Sequence, residues 1–305
     1  MVKIRVPATT ANLGPGFDCL GLALNLYLYL EIEEIEKGLD IQCRGEGAEE
    51  FDEGENNLIW KAAKRALKKT GQEYFKKGIR IKTLNQIPIS RGLGSSAAAI
   101  IGGIVGVTEL YKINISYKEV LEIAFSLEGH MDNIVPALIG GLTLAYSTEK
   151  EKVKWDKVKI PNNLCIVAGI PDFYLSTEEM RKVLPQKIPF SKAVFNLSRT
   201  ALLINVLQNS DWRLLADAME DKLHQPFRMP FIPGIDEIFS KIKETGIAGI
   251  ALSGSGPTII SLAEEDSAET IKQIMKETFL KVHIDCRIFI LKPDLEGARC
   301  VSLIQ

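Results

Sequence analysis

The sequence is poor in the residues that build metal and disulfide sites. It contains three histidines and five cysteines in 305 residues, and they are scattered along the chain without a CxxC pair. A zinc centre and a disulfide framework are therefore not expected. Isolated thiols are typical of proteins kept in a reducing compartment, so we expect a cytoplasmic protein.

A charge excess and a long apolar run are also missing. Lys and Arg number 37 against 39 Asp and Glu, which gives a formal net charge of -2. A nucleic-acid-binding protein would carry a basic excess, so no nucleic-acid partner is expected. Glycine, asparagine or charged residues interrupt every apolar stretch before it reaches the length of a membrane span, and no membrane association is expected.

The spacing of the apolar residues predicts an α+β protein. Residues 19–36 alternate between apolar and polar, with leucines and one isoleucine on a single face, as in a long half-buried strand. Ser116 and Glu119 form a capping box that starts a helix. The first half is further expected to hold strands at 3–6, 40–43 and 79–84, and helices at 57–70, 96–111 and 116–128.

The second half predicts a fold of its own. Its elements are a strand at 164–170, helices at 190–208, 211–223 and 235–244, strands at 250–252 and 258–262, a helix at 268–278 and a strand at 282–291. With the helices pooled, the order is that of a ferredoxin-like domain. A polar stretch at 147–159 separates the halves, and we predict two domains, 1–155 and 156–305.

The stretch PISRGLGSSAA at 88–98 predicts a site for phosphate. A helix N-terminus offers unpaired N–H groups and a partial positive charge, and glycine lets an anion approach the backbone closely. We therefore expect the amides from Arg91 to Ala97 to surround phosphate groups. The hydroxyl of Ser96 is a candidate ligand for Mg²⁺.

Three phosphate-binding interpretations compete for this stretch. A P-loop is excluded because no lysine follows the second glycine. Gly92, Gly94 and Ala97 match a dinucleotide-binding fingerprint, but the stretch does not directly follow a strand and the next element is another helix. The third interpretation is a kinase loop of another architecture. A structural turn in which small residues pack at the start of a helix is the non-functional explanation.

Three further stretches accompany the loop in a fixed order: VPATTANLGPGFDCLG at 6–21, EGHMDNIVPALIGG at 128–141 and LSGSGPT at 252–258. Together they resemble the motifs of the GHMP small-molecule kinases, and the resemblance runs from Val6 to about Leu262. It implies a ribosomal-S5-domain-2-like N-terminal domain, a ferredoxin-like C-terminal domain and ATP bound between them. It also implies that SGSGPT lies beneath the phosphate loop.

The resemblance implies phosphoryl transfer from ATP to an alcohol, with L-homoserine as the acceptor and Mg²⁺ as the metal. Ser96 and Glu128 would hold the metal, with Glu122 as the alternative to Glu128. Asn57 would lie near the adenine. The remaining nucleotide contacts would come from Pro88, Ile89, Ser90, Arg91, Gly92, Leu93, Gly94, Ser95, Ser96, Ala97 and Ala98.

An amino-acid acceptor requires a carboxylate for its ammonium group and a guanidinium for its carboxylate. The resemblance assigns substrate binding to Asn12, Asp18, His130, Thr177, Arg181 and Arg228. It places Asp132, Asn133 and His130 near the reacting hydroxyl. A strong base is not required there, because the transition state of phosphoryl transfer is loose.

Several alternatives remain open at this stage. The acceptor can be that of another kinase of the family, such as mevalonate or shikimate. The scaffold can also serve a non-catalytic sensor of nucleotide or amino acid. The literal GxGxxA match leaves a nicotinamide oxidoreductase as a further class. Arg181 and Arg228 are otherwise explained by surface ion pairs, Asp18 by a turn, and Asn57 by a helix cap. A homodimer is a further expectation.

Overall fold

The described residues form two β-sheets with helices packed against them. The structure is a computed structural model that describes residues 1–71, 77–149 and 153–302. Its strands are β1 Val2–Ala11, β2 Leu20–Ile35, β3 Leu39–Gly45, β4 Gly78–Asn85, β5 Leu142–Tyr146, β6 Lys154–Val158, β7 Leu164–Pro171, β8 Ala248–Leu252, β9 Ile259–Glu264, β10 Cys286–Leu291 and β11 Arg299–Cys300.

The helices flank the sheets and supply the walls of the site described below. They are α1 Leu58–Lys69, α2 Ser95–Leu110, α3 Tyr117–Glu128, α4 Met131–Ile139, α5 Thr177–Lys182, α6 Phe190–Asn209, α7 Leu215–Ala218, α8 Gln225–Arg228, α9 Ile235–Glu244 and α10 Ala268–Lys281. No α-helix within these described ranges is both long enough and apolar enough to cross a bilayer.

The first sheet is organised around the long strand β2. The strand order is β11-β1-β2-β4-β3, and the N-terminal end of β2 also pairs with β5, which in turn pairs with β6. The residues of the predicted apolar face, from Leu20 to Ile32, are all buried. The period-two prediction for 19–36 is therefore confirmed, because one face of β2 supports the core beneath α2 and α4.

The second sheet has the strand order β10-β7-β9-β8. The chain visits it as strand, helices, strand, strand, helix and strand, so the ferredoxin-like prediction is confirmed along with the α+β class. The apolar faces of α9 and α10 cover this sheet through residues such as Ile238, Ile271 and Phe279.

The predicted domain boundary at 155/156 lies inside β6, which belongs to the first sheet. The polar composition of 147–159 suggested a linker. Lysines and acidic residues are also well tolerated on a strand at the edge of a sheet, which is the position of β6. The chain reaches the second sheet only at β7. The last described residues return to the first sheet, where β11 pairs with β1.

Two local predictions differ from the structure. The single helix expected at 211–223 is a 3-10 turn followed by the short α7, and the chain then loops around the side chain of Asp221. The helix α4 was not expected, because Pro136 lies within its apolar segment. Pro136 leaves the carbonyl of Asp132 without a helical N–H partner, and that carbonyl packs closely against Gly21 of β2.

Candidate active site

A cleft of about 290 Å³ lies where elements from both sheets meet. Its walls are the loop before α2, the connection between β1 and β2, the start of α4, and the segments α5, α8 and 254–255. It collects most of the residues expected in the site. These are Asn12, Asp18, Pro88, Ile89, Ser90, Arg91, Gly92, Leu93, Gly94, Ser95, Ser96, Glu128, His130, Asp132, Asn133, Thr177, Arg181 and Arg228.

The loop before α2 has a backbone that only glycine adopts without strain. Gly92 and Gly94 have φ of 79° and 68°, and Gly94 is the N-cap of α2. A Cβ on Gly94 would lie 1.9 Å from Thr9 Oγ1, and one on Gly92 would lie 2.3 Å from Ser253 O. The glycines therefore allow the start of α2 to sit directly on β1 with its free amides at the cleft.

The SGSGPT turn between β8 and β9 holds this loop from below. Ser253 Oγ donates a hydrogen bond of 2.5 Å to Gly92 O, and the Thr258 amide donates one of 3.3 Å to Arg91 O. The Thr9 amide donates to Leu93 O from the other side. With its carbonyls held by protein donors, the loop can present amides to an anion without its carbonyl oxygens opposing the charge.

Ser96 and Glu128 meet at the mouth of the loop. Ser96 Oγ donates a hydrogen bond of 2.5 Å to Glu128 Oε2 at the C-terminal end of α3. Burial raises the pKa of the Glu128 carboxyl, and the bond from Ser96 lowers it only in part. Glu122, the alternative metal ligand, lies outside the cleft and pairs with Lys69 at 3.9 Å. Of the two glutamates, the structure brings only Glu128 to Ser96.

The first turn of α4 places two polar side chains beside the phosphate loop. Asn133 Oδ1 accepts a hydrogen bond of 2.8 Å from Thr9 Oγ1, and its Nδ2 lies 3.4 Å from Asp132 Oδ1. Asp132 is 4% exposed. Burial is the main cause that raises the pKa of the Asp132 carboxyl to about 7, and the charge of Asp18 is the second. Asp132 is thus a carboxyl that can exchange a proton near neutral pH.

His130, the N-cap residue of α4, faces the arginines across the cleft. Burial and the charge of Arg181 lower the pKa of the imidazole, although Asp18 opposes this. The imidazole is therefore neutral at physiological pH, so it can accept or donate a hydrogen bond without adding charge.

Asp18 and Arg181 form an ion pair at the end of the cleft away from the phosphate loop. Arg181 donates to both carboxylate oxygens of Asp18, at 2.8 and 3.2 Å. The Nε of Arg181 is buried and has no hydrogen-bond partner among the described residues. Because both side chains remain about one-third exposed, the pair can rearrange to receive a charged ligand.

Arg228 is 2% exposed and is held by three protein acceptors. Its Nε donates to Met180 O at 3.1 Å, and its Nη1 donates to Gly254 O at 3.0 Å and to His224 Nδ1 at 3.2 Å. Within the described ranges, Nη2 has no hydrogen-bond partner, and Arg228 lines the cleft. Burial lowers the pKa of the guanidinium to about 10, so it remains charged at neutral pH.

Asn12 and Thr177 line the same end of the cleft but are partly committed to the protein. Asn12 donates to Gly254 O at 3.0 Å and accepts the Asp18 amide at 3.0 Å. Thr177 Oγ1 lies 3.2 Å from Ser255 Oγ. Both residues therefore brace the loops that carry Asp18 and Gly254, in addition to facing the ligand space.

The structure does not bring Asn57 or the side chains of Ala97 and Ala98 into the cleft. Asn57 is the N-cap of α1: its Oδ1 accepts the amides of Ile59 and Trp60, and its Nδ2 donates to Asp52 O. Ala97 and Ala98 are buried in the core. The cleft beyond the loop is apolar instead, and its lining there includes Leu28, Phe51, Leu58, Ile89 and Ala99.

Two residues of this region escaped the sequence analysis. Phe17 lies against both arginines, with its ring centroid 5.4 Å from Arg228 Cζ and 5.8 Å from Arg181 Cζ. His224 stacks on the same ring, with the two ring centroids 5.0 Å apart. The spacing of His224 and Arg228 in HQPFR is the one signal that points to His224.

Comparison with known proteins matches both halves of the chain. The GHMP kinases N terminal domain matches residues 57–141, and the GHMP kinases C terminal domain matches residues 203–281. Homoserine kinase of Petrotoga mobilis is 46% identical over 266 residues, which cover 87% of this chain and 86% of that protein. Homoserine kinase of Caldanaerobacter subterraneus is 42% identical over 302 residues, covering 99% and 96%.

Among solved structures, the crystal structure of homoserine kinase from Cytophaga hutchinsonii superposes with a TM-score of 0.89. It is 29% identical and covers 98% of this chain and 97% of its own. The likeness therefore extends over both sheets and over the cleft that they share.

Proposed function

The chain belongs to the GHMP kinase family, and on this premise we propose that it transfers the γ-phosphoryl group of ATP to the side-chain hydroxyl of L-homoserine. The product is O-phospho-L-homoserine, an activated intermediate of threonine biosynthesis. One observation carries the proposal. A single cleft joins a loop built for phosphate to a subsite with two guanidinium groups and one carboxylate, which matches a zwitterionic acceptor.

The phosphate end of the cleft suits MgATP. The amides at the start of α2 would bind the phosphates, and the apolar residues beyond the loop would receive the base. Ser96 and Glu128 would hold Mg²⁺: they offer hard oxygen donors, and Glu128 forms no ion pair with any described basic residue. Bound Mg²⁺ would neutralise charge on the phosphates. Within the described ranges no three acidic, histidine or cysteine side chains are placed together to hold a metal ion, so phosphate and water oxygens would complete the metal shell.

The other end suits the amino-acid backbone of homoserine. The substrate carboxylate would take the two free N–H groups of Arg228 Nη2, with the guanidinium of Arg181 as the second positive charge beside it. Its ammonium group would replace part of the pairing that Asp18 makes with Arg181. Each charge of the zwitterion thus meets the opposite charge, which a mevalonate or shikimate molecule, having no ammonium group, would leave unmatched.

The hydroxyl would lie between these ends, near Asp132 and Asn133. Asn133 would orient the oxygen toward the phosphorus, and His130 would contact the substrate. As the new P–O bond forms and the bond from phosphorus to the ADP oxygen breaks, the hydroxyl proton must leave. Asp132, whose pKa is about 7, can accept it late in the reaction without being a strong base.

The proposal is tested by ADP release from the purified protein with MgATP. We expect ADP formation on adding L-homoserine, and none above background on adding mevalonate or shikimate. Glu128→Gln should lose most of this activity while keeping nucleotide binding. A preference for another alcohol would refute the substrate, whereas nucleotide binding without any ADP formation would identify a sensor. The cytoplasmic location and the homodimer stay predictions.

A further inference from the structure

His224 is a buried imidazole behind the wall of the cleft. It is 0% exposed, and both ring nitrogens make hydrogen bonds. Nε2 lies 2.8 Å from the carbonyl oxygen of Gly14, and Nδ1 lies 3.2 Å from Nη1 of Arg228. Its ring stacks on Phe17, with an angle of 25° between the planes.

These partners determine where the ring carries its proton. The Gly14 carbonyl can only accept, so Nε2 must carry the hydrogen, and the Arg228 guanidinium can only donate, so Nδ1 must be bare. Other charged groups near the ring are Asp221, whose Oδ2 is 3.6 Å from Nε2, and Asp18. Burial has the largest effect and lowers the pKa of the imidazole. Asp221 raises this pKa and Arg228 lowers it, and the pKa stays below its usual value, in agreement with a neutral ring.

The backbone of His224 is fixed as firmly as its ring. The carboxylate of Asp221 accepts the amides of Leu223, His224 and Gln225 at 2.7–3.0 Å, and it also accepts Asn196 Nδ2. This carboxylate replaces the helical hydrogen bonds that the loop before α8 lacks. The ring is therefore held by its backbone, by Gly14 and by Phe17, and it has one remaining nitrogen, which meets Arg228.

We propose that His224 is a positioning residue for the acceptor carboxylate. Its Nδ1 accepts one Nη1 hydrogen of Arg228 while Gly254 O accepts the other and Met180 O accepts Nε–H. These three acceptors lock the rotation of the guanidinium and leave both Nη2 hydrogens for the ligand. The inference rests on the proposed function, because it assumes that Arg228 binds the carboxylate of homoserine.

Two substitutions separate this role from simple packing. In His224→Gln the amide nitrogen takes the place of Nε2 and can still donate to Gly14 O, but the acceptor for Arg228 is lost. In His224→Asn the amide oxygen takes the place of Nδ1 and can still accept from Arg228, but the bond to Gly14 is lost. Both variants lose the stacking on Phe17, so each is the control for the other.

We expect His224→Gln to raise KM for L-homoserine about tenfold, because a hydrogen bond to a charged group is removed. His224→Asn should stay within about threefold of the wild type, and KM for ATP should hardly change in either variant. Equal KM values for homoserine in the two variants, or a larger increase in His224→Asn, would overturn the positioning role and leave the proposed function intact.

A second measurement uses 3-aminopropan-1-ol, the acceptor that lacks only the carboxylate. Its inhibition constant against homoserine should be the same in the wild type and in His224→Gln, since the effect of His224 passes through the carboxylate. A rise equal to that for homoserine would show a general distortion of the site instead. Absence of homoserine-dependent turnover in the wild type would overturn both this inference and the proposed function.

Discussion

At the scale of single residues, Asp132 lowers the stability of the fold at neutral pH, and this cost can be measured separately from its role in the reaction. Its carboxyl is buried, is close to a second acid, and has a pKa of about 7 against about 3.9 for an exposed aspartate. At a pH between these two pKa values, Asp132 keeps its proton in the folded protein and has lost it in the unfolded chain. This group therefore stabilises the fold most at low pH, and its contribution is lost as the pH rises through 7.

We predict that Asp132→Asn removes this dependence. The free energy of unfolding of the wild type, measured with urea, should fall between pH 5 and pH 8 by on the order of 2 kcal/mol more than that of the variant. Asp266→Asn, which removes an exposed carboxylate, is the control for the loss of one charge. Parallel pH profiles for the wild type and Asp132→Asn would contradict the raised pKa.

Residues differ in how far the sequence alone could place them. The phosphate loop was predictable because its chemistry is local: glycines and a helix start are adjacent in the chain. Phe17 and His224 were not, because their contacts join segments about 200 residues apart, and nothing in either segment reveals the other. Asn57 shows the opposite case, since its side-chain hydrogen bonds to described residues are all local and its role as a helix cap accounts for them.

At the scale of secondary structure, the start of α2 depends on Gly94 for two separate reasons. Its backbone is left-handed, with φ of 68°, and its missing Cβ leaves room for Thr9 and Asn133. Gly246 has almost the same φ, 67°, but a Cβ there would meet nothing within 4 Å. The two glycines therefore share a left-handed φ and differ in the space around them.

Gly246→Ala is predicted to cost about 1 kcal/mol of stability through backbone strain and to leave KM for ATP unchanged. Gly94→Ala should cost at least about 2 kcal/mol, because the clash with Thr9 adds to the strain, and should raise KM for ATP tenfold or more by displacing the first amides of α2. Chemical denaturation and initial rates measure the two effects. Similar consequences for both variants would mean that the close approach of α2 to β1 is unimportant.

Elements were predicted where one pattern dominated their sequence. The period-two alternation of β2 and the capping box of α3 were both confirmed. The helix α4 was missed because a proline inside an apolar run usually ends a helix, whereas α4 continues through Pro136. The segment 211–223 appeared continuous, but α7 ends at Ala218, and the side chain of Asp221 accepts three backbone amides of the loop that follows.

At the scale of the whole molecule, the site exists only where the two sheets meet. The first sheet and its helices supply the phosphate loop, Glu128 and Asp132, and the second half of the chain supplies Thr177, Arg181, Arg228 and the turn that supports the loop. That the two halves share one site was predictable only because the order of the motifs resembles that of a known family. Composition and periodicity alone gave the class of each half but not their arrangement.

The most direct test is a crystal structure of the protein with a nonhydrolysable ATP analogue, Mg²⁺ and L-homoserine. We predict the triphosphate against the backbone amides at the start of α2, the carboxylate of homoserine on Nη2 of Arg228, and its hydroxyl directed at the γ-phosphorus beside Asp132. A triphosphate bound away from the segment 91–97, or a homoserine whose carboxylate lies away from both arginines, would contradict the mechanism proposed for this cleft.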